Sequence, residues 1–328
     1  MLNYNAEEKN LDRPRKQLLA CYVPTLDMLR VEFLTDRILE TKKPILYLGT
    51  TAQGKSTFMR NYVIDHDSNT KPYKYDMMSA SLNTTCTKLL AILENKLIKP
   101  TKATMCPMDE KHIVFFIDDL HMTRRDRWRD QHANELLRQC LDYQGWYNTD
   151  KIYFKKVRDI NFVGSIATRK NSKNIVDERF CWHFAGVGFA NDDGGHLEGI
   201  YKFILGKAFV HSNSTTVALQ APEMVLEASL QFYRRYEALR KPSPTGFLFK
   251  INWRHLINMT KGLLEVPNNY YKAMENVAIL WVNEVCRTVL DRYTDPREHE
   301  KFYAEVCRIA ANTFRVKKTT FTADYHAN

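Results

Sequence analysis

The sequence predicts an α/β protein: a doubly wound parallel sheet flanked by helices, followed by an all-helical C-terminal part. Three observations carry this. Gly49-Thr50-Thr51-Ala52-Gln53-Gly54-Lys55-Ser56 fits the phosphate-loop pattern G-x-x-x-x-G-K-[ST], with the apolar run Ile45-Leu46-Tyr47-Leu48 before it and a helix signal from Thr57 after it. The continuous apolar run Ile113-Val114-Phe115-Phe116-Ile117 reads as a strand buried on both faces, and it ends in Asp118-Asp119. Beyond the polar run at 211–216, every segment reads helical.

The elements follow in order. The first twenty residues are polar and charged and read as an arm or linker. Thr25 then caps a helix with Asp27 in its first turn, and Leu26, Leu29, Phe33, Leu34 and Ile38 are expected on its buried face. Lys43-Pro44 ends that helix and feeds the strand before the phosphate loop. The stretch 71–78 alternates weakly and is the next strand. Residues 79–84 supply caps for a helix carrying Leu89, Leu90, Ile92, Leu93 and Leu97, and a loop is expected over 99–111. After the acidic strand comes Arg124-Arg125-Asp126-Arg127-Trp128-Arg129, the densest cationic segment. It is read as an exposed loop neutralised by Asp126 and Asp130 rather than as an anion clasp. A short helix holds Glu135 to Leu141, and Gly145-Trp146-Tyr147 with Ile152-Tyr153-Phe154 predict a β-hairpin. Strands follow at 160–166 and 184–189, and a helix at about 193–209. The helical part contains segments 224–239, 253–264 (capped by Asn252), 268–293 and 296–314.

Composition bounds the rest. A chain of 328 residues holds one large domain or two modest ones. Its 44% hydrophobic and 26% charged content exclude wholesale disorder. The net charge of +10 admits nucleic acid, an anionic membrane or an acidic protein as partner. Acids and bases are mixed throughout, so a solvated Lys-rich surface is the favoured reading. The seven cysteines are scattered, with no C-x-x-C, which excludes a disulfide framework and a zinc site and points to reduced, packed thiols. The N-terminus has no apolar signal core, and no run approaches the ~20 residues needed to cross a bilayer. A soluble intracellular protein with no membrane partner is expected.

The chemistry follows from residue type and spacing. Backbone N–H groups of Gly49, Thr50, Thr51, Ala52, Gln53 and Gly54 would turn toward phosphate oxygens, with Thr57 in the helix start adding to the cradle. Lys55 would reach the β/γ-phosphates of ATP or ADP, and Ser56 would hold Mg²⁺. Asp118 is placed to bind Mg²⁺ through water and Asp119 to orient or deprotonate the attacking water. His121 and His132 lie near the acidic pair, but packing or surface roles are favoured over a metal site.

Several segments resemble the dynein heavy chain, specifically the third AAA+ module of its motor ring. They are Pro24-Thr25-Leu26-Asp27, the strand ending Asp118-Asp119-Leu120-His121-Met122, the helix Glu135-Leu136-Leu137-Arg138-Gln139 with Gly145-Trp146-Tyr147, Arg179-Phe180 with His183-Phe184, and Ile251-Asn252-Trp253-Arg254-His255-Leu256. The resemblance implies an AAA+ P-loop NTPase: an N-terminal arm (1–23), a large α/β nucleotide-binding subdomain (24–212) and a small helical lid subdomain (213–328). It implies that Arg254 senses the γ-phosphate from the lid. Arg179 would be the finger that reaches a neighbouring module's nucleotide, with Asp177 and Glu178 beside it able to hold it back. It implies neighbouring AAA+ modules as partners and microtubules only through the whole motor, in the cytoplasm and on the cytoskeleton, the ciliary axoneme included.

This sequence departs from the family pattern in ways that weaken hydrolysis more than binding. Thr50 and Ala52 replace a proline and a glycine inside the loop, and Ala52 is acceptable only if its φ is negative. A glycine-rich segment after the 160–166 strand is missing, Ala167 stands where a polar sensor belongs, and Asp119 replaces a glutamate. The length cannot hold a whole motor, so a fragment, a short gene product or a degenerate relative is expected. A module that binds nucleotide without hydrolysing it is one alternative. An independent AAA+ ATPase acting on nucleic acid is another, suggested only by the net charge and the arginine cluster.

Overall fold

The computed structural model describes residues 22–66, 73–101, 103–108, 111–148, 152–168, 174–189, 195–210, 216–239, 251–266, 273–317 and 321. The chain divides into two compact units, Pro24–Asn191 and Asp192–Asn328, the second joined by Met1–Val23.

In the first unit, helix α1 (Leu26–Glu40) starts at Thr25, whose side chain accepts from the Met28 N–H. Its buried stripe is Val31, Thr35 and Leu39, while Leu26, Phe33 and Leu34 are exposed, so the expected apolar face is turned by part of a turn. The cause is polar: the Thr35 hydroxyl donates to the Val31 carbonyl and meets the buried Tyr47 hydroxyl at 2.8 Å. Strand β1 (Ile45–Gly49) runs into the phosphate loop, and α2 (Lys55–His66) leaves it. Next come β2 (Tyr73–Ser79) and α3 (Cys86–Glu94), the latter capped by Thr85.

The expected loop at 99–111 contains two strands, β3 (Leu97–Thr101) and β4 (Thr104–Pro107), and Leu97 belongs to β3 rather than to the preceding helix. Pro100 and the polar exposed positions of β3 hide it from any alternation pattern. Strand β5 (His112–Asp118) leads through a 3₁₀ turn (Leu120–Met122) to α4 (His132–Tyr143). The predicted hairpin is β6 (Gly145–Tyr147) with β7 (Phe154–Val157), antiparallel and pairing Tyr147 with Phe154. Then follow β8 (Ile160–Ala167), the short α5 (Glu178–Cys181) and β9 (Ala185–Gly188).

The main sheet has the order β2-β5-β8-β1-β9, with every pairing parallel. One face carries an aromatic cluster in which Phe58 of α2 meets Tyr47 and Phe189 edge-on. The other face packs Leu46, Phe115, Ile117 and Phe162 against α3 and α4. The second sheet, ordered β3-β4-β7-β6, joins that core through Leu97, Met105, Trp146 and Val157.

The second unit is helical: α6 (Gly195–Val210), α7 (Thr216–Leu239), α8 (Trp253–Glu265), α9 (Met274–Thr288), a 3₁₀ turn (Leu290–Arg292) and α10 (Pro296–Phe314). Asn252 caps α8 as expected, with His255 completing a capping box. The third lid helix, expected over 268–293, is α9 plus the 3₁₀ turn, and 267–272 fall outside the described residues. The sequence places the subdomain boundary at 211–216, of which 211–215 also fall outside. Packing groups α6 with the later helices, because Tyr201, Ile204 and Leu205 join a core with Ala221, Val225 and Trp281.

Candidate nucleotide site

The site forms at the C-terminal ends of the central strands, where open parallel sheets place ligands. Strand β8 lies between β1 and β5, pairing Gly49 with Ala167 and Ile117 with Gly164. That register lays the phosphate loop and the acidic tip on either side of Ser165 and Ala167.

In the loop, Gly54 has φ +83°, and a Cβ there would sit 2.9 Å from Cε of Met28. Ala52 is also left-handed, with φ +68°, so the negative φ on which its acceptability depended is absent. The residue keeps the loop's curvature at a cost of roughly 1–2 kcal/mol, since the Cβ crowds a backbone oxygen. Thr50, Ala52 and Gln53 are partly buried, and Thr51 is exposed. Lys55 opens α2 and is buried, its ammonium donating to the Gly49 carbonyl at 2.9 Å and the Thr50 carbonyl at 2.7 Å. Burial pulls its pKa below the ordinary lysine value, while Asp119 and Asp118 act in the opposite sense. Ser56 and Thr57 follow in the first turn, Ser56 half-buried and Thr57 exposed.

Across β8, Asp118 is buried and accepts a short hydrogen bond from the Ser165 hydroxyl. The same Ser165 oxygen accepts from the Asp119 N–H at 2.9 Å. Asp119 is left-handed (φ +57°), a conformation aspartate tolerates, and its side chain is half-exposed. The turn after it is pinned from α4: the Gln131 amide donates to the His121 and Thr123 carbonyls, and that of Asn134 to the Leu120 carbonyl and to Gln131. His121 is buried in this turn, and its Nδ1 accepts from the Ala167 N–H at 3.3 Å. Burial lowers its pKa, a shift to which Lys55 adds and which Asp119 and Asp118 oppose.

Lys55, Asp118 and Asp119 are thus brought together, with Ser56 in the first turn after the lysine. Arg179 is not among them: it lies exposed on α5, its guanidinium 3.2 Å from Asp177 and 3.5 Å from Glu135. Of the two acids expected beside it, Asp177 pairs with Arg179, and the other partner is Glu135 of α4 rather than Glu178. Arg254 belongs to the helical unit, exposed in the first turn of α8. Asp126, at the centre of the arginine segment, accepts from the N–H groups of Trp128 and Asp130 and lies 3.4 Å from His132. Sequence reasoning missed Ser165 and the amides Gln131 and Asn134. The one available signal for Ser165 was a polar residue inside the otherwise apolar run from Phe162 to Ala167.

The residues fit a magnesium nucleotide. The loop is curled by left-handed backbone, its buried ammonium rests on loop carbonyls, and a buried carboxylate faces the same end of the sheet. Among the described residues no group of three or more His, Cys, Asp or Glu side chains forms a metal cluster, and no helix is long and apolar enough to cross a membrane.

Comparison with known proteins gives a consistent picture. The family model for the P-loop containing dynein motor region matches residues 12–191. The dynein axonemal heavy chain 6 of Homo sapiens is 27% identical over 307 residues, which cover 94% of this chain and 7% of that protein. The dynein beta chain of the flagellar outer arm of Chlamydomonas reinhardtii is 30% identical over 281 residues, 86% of this chain and 6% of its own length. The human dynein axonemal heavy chain 1 is 28% identical over 296 residues, 85% and 7%. The chain therefore spans only 6–7% of the length of these relatives.

Proposed function

The chain belongs to the P-loop dynein motor family, and from that premise we propose that it is an AAA+ module of a dynein-type microtubule motor, the third of its ring. In this reading it binds Mg·ATP or Mg·ADP and gates the motor through slow or regulatory hydrolysis. The convergence of Lys55, Asp118 and Asp119 around β8 carries the proposal. Lys55 exchanges the Gly49 and Thr50 carbonyls for β/γ-phosphate oxygens, trading neutral acceptors for charged ones. Ser56 and Asp118 would hold Mg²⁺, which when bound would neutralise phosphate charge. Ser165 keeps Asp118 aimed and steadies the Asp119 backbone, so that Asp119 orients water. Arg254 senses the γ-phosphate from the lid, and Arg179 reaches toward a neighbouring module once released from Asp177 and Glu135. The partners are adjacent AAA+ modules, with microtubules engaged only by the whole motor. The axonemal and flagellar names of the relatives favour a cytoskeletal, ciliary location.

Thermal unfolding tests the nucleotide site. A ligand at a hundred times its Kd stabilises by about 2.7 kcal/mol. Mg·ATP should raise the melting temperature of the wild type and leave Lys55→Ala unmoved; an equal rise in both removes the site assignment. A second reading, nucleotide binding without turnover, is favoured by the alanine at 167 and the strained Ala52. Steady-state phosphate release from the module held beside its ring neighbours separates the two. Turnover that vanishes in Asp119→Asn excludes the non-hydrolysing reading.

A further inference from the structure

Ala167 ends β8 between the phosphate loop and the acidic tip, where its methyl group has no polar atom to offer a phosphate. The imidazole of His121 comes to the same place from the 3₁₀ turn that follows β5. Its Nδ1 accepts the Ala167 N–H at 3.3 Å and lies 4.0 Å from the Asp119 carboxylate, and the ring is buried. A backbone N–H only donates, so the neutral ring carries its hydrogen on Nε2, leaving one directed donor. The turn holding His121 is not adjustable at low cost. Gln131 and Asn134, both buried, take up the carbonyls of Leu120, His121 and Thr123. A donor fixed by its own surroundings is already oriented before ligand arrives. The charges of Lys55, Asp118 and Asp119 all act on this ring, which puts it among the groups of the site.

We propose that His121 is a specificity-determining residue that supplies through Nε2–H the terminal-phosphate contact Ala167 cannot make, so that the site distinguishes a nucleoside triphosphate from a diphosphate. This rests on the nucleotide-site reading above and adds the identity of the discriminating donor. Two amide substitutions divide the ring's functions. In His121→Asn the Oδ1 atom keeps an acceptor for the Ala167 N–H and the Nε2 donor is gone. In His121→Gln the amide reaches the Nε2 position.

The experiment is equilibrium binding of Mg·ADP and of a non-hydrolysable Mg·ATP analogue to the full chain, with melting temperatures recorded alongside. One hydrogen bond to a charged group predicts that His121→Asn keeps its ADP affinity and loses roughly tenfold in affinity for the triphosphate. His121→Gln should recover most of that loss. An unchanged triphosphate-to-diphosphate ratio in the Asn variant overturns the proposal, as does an equal loss for both nucleotides, which is what a purely structural histidine would give. Should the Asn variant fail to fold, His121→Ala decides in the same way: a selective loss of triphosphate affinity supports the assignment, and an unchanged ratio or an equal loss for both nucleotides overturns it. A wild-type chain that binds neither nucleotide, or a Lys55→Ala variant that binds both as tightly as wild type, overturns the site itself and this inference with it.

Discussion

Ala52 shows how a single residue reports on the loop. Its φ of +68° places a Cβ where glycine is the ordinary occupant, and Gly54 two residues on has φ +83°. The loop therefore keeps its curvature although one of its glycines is replaced, and the chain bears the strain locally. Ala52→Gly relieves roughly 1–2 kcal/mol of backbone conflict. It also returns about 0.4–1 kcal/mol of conformational entropy to the unfolded chain. The balance favours the variant by about 0–1.6 kcal/mol. Denaturant unfolding should show a higher midpoint for Ala52→Gly; a lower one means that the loop relaxes to negative φ in solution. The identity of Ala52 was legible in the sequence and its φ was not, because a dihedral is set by what the loop must wrap around. Ser165 was illegible for a related reason. Its importance comes from strand order, which brings it between Asp118 and the phosphate loop.

The second sheet is the clearest case at the level of elements. Its four strands were half visible, since aromatic and glycine signals marked β6 and β7 while β3 and β4 carry proline and exposed polar residues. What secures it is a buried charge. The Lys155 ammonium, almost fully buried, meets Glu94 at 2.7 Å, and the Trp146 indole N–H donates to the same carboxylate oxygen at 3.0 Å. Burial presses the Glu94 pKa upward, but Lys155 and Trp146 outweigh it and hold the carboxyl below its usual range. The sign follows. A carboxylate with a lowered folded pKa contributes stability that is fully present above its unfolded value, about 4.3, and fades as pH falls through the lower folded value. Unfolding midpoints measured from pH 7 to pH 3 should fall more steeply for the wild type than for Glu94→Gln. At pH 7, Glu94→Gln should cost about 3 kcal/mol because it strands a buried ammonium. Lys155→Met should cost less, since Glu94 is partly exposed and can turn to water. Equal costs would mean that Lys155 is not buried in solution. Helix α1 teaches the complementary lesson: its existence and its Thr25 cap were legible, but its buried face was not, because Thr35 hydrogen-bonds to Tyr47 from another element.

At the scale of the whole molecule, the net charge of +10 is the excess of bases over acids that are mixed along the sequence, with no long basic block. Within the arginine segment, Asp126 is engaged by the Trp128 and Asp130 N–H groups and by His132. Because acids and bases are mixed along the whole sequence, titration with duplex and single-stranded DNA should reveal no salt-sensitive affinity. A binding constant that falls steeply with salt would revive the nucleic-acid ATPase reading. Among the described residues Cys86, Cys106, Cys140, Cys181, Cys286 and Cys307 are free thiols, and Cys21 falls outside them. The division into an α/β unit and a helical unit was also visible, with α6 the element whose membership packing decided.

What the sequence by itself determined is local or periodic. The phosphate-loop spacing, the apolar acid-tipped strand, the helix caps at Thr25 and Asn252 and the order of matching segments each need only neighbours along the chain. Tertiary structure decided the rest. It set the strand order that inserts β8 between loop and acids, the φ of Ala52, the pairing of Arg179 with Glu135, and the placement of His121 beside Ala167. All but the φ of Ala52 depend on contacts between residues 44 to 118 positions apart, from the Arg179–Glu135 pair to the pairing of Ile45 with Val163. Such contacts form only when the whole sheet closes, and no window along the chain contains them.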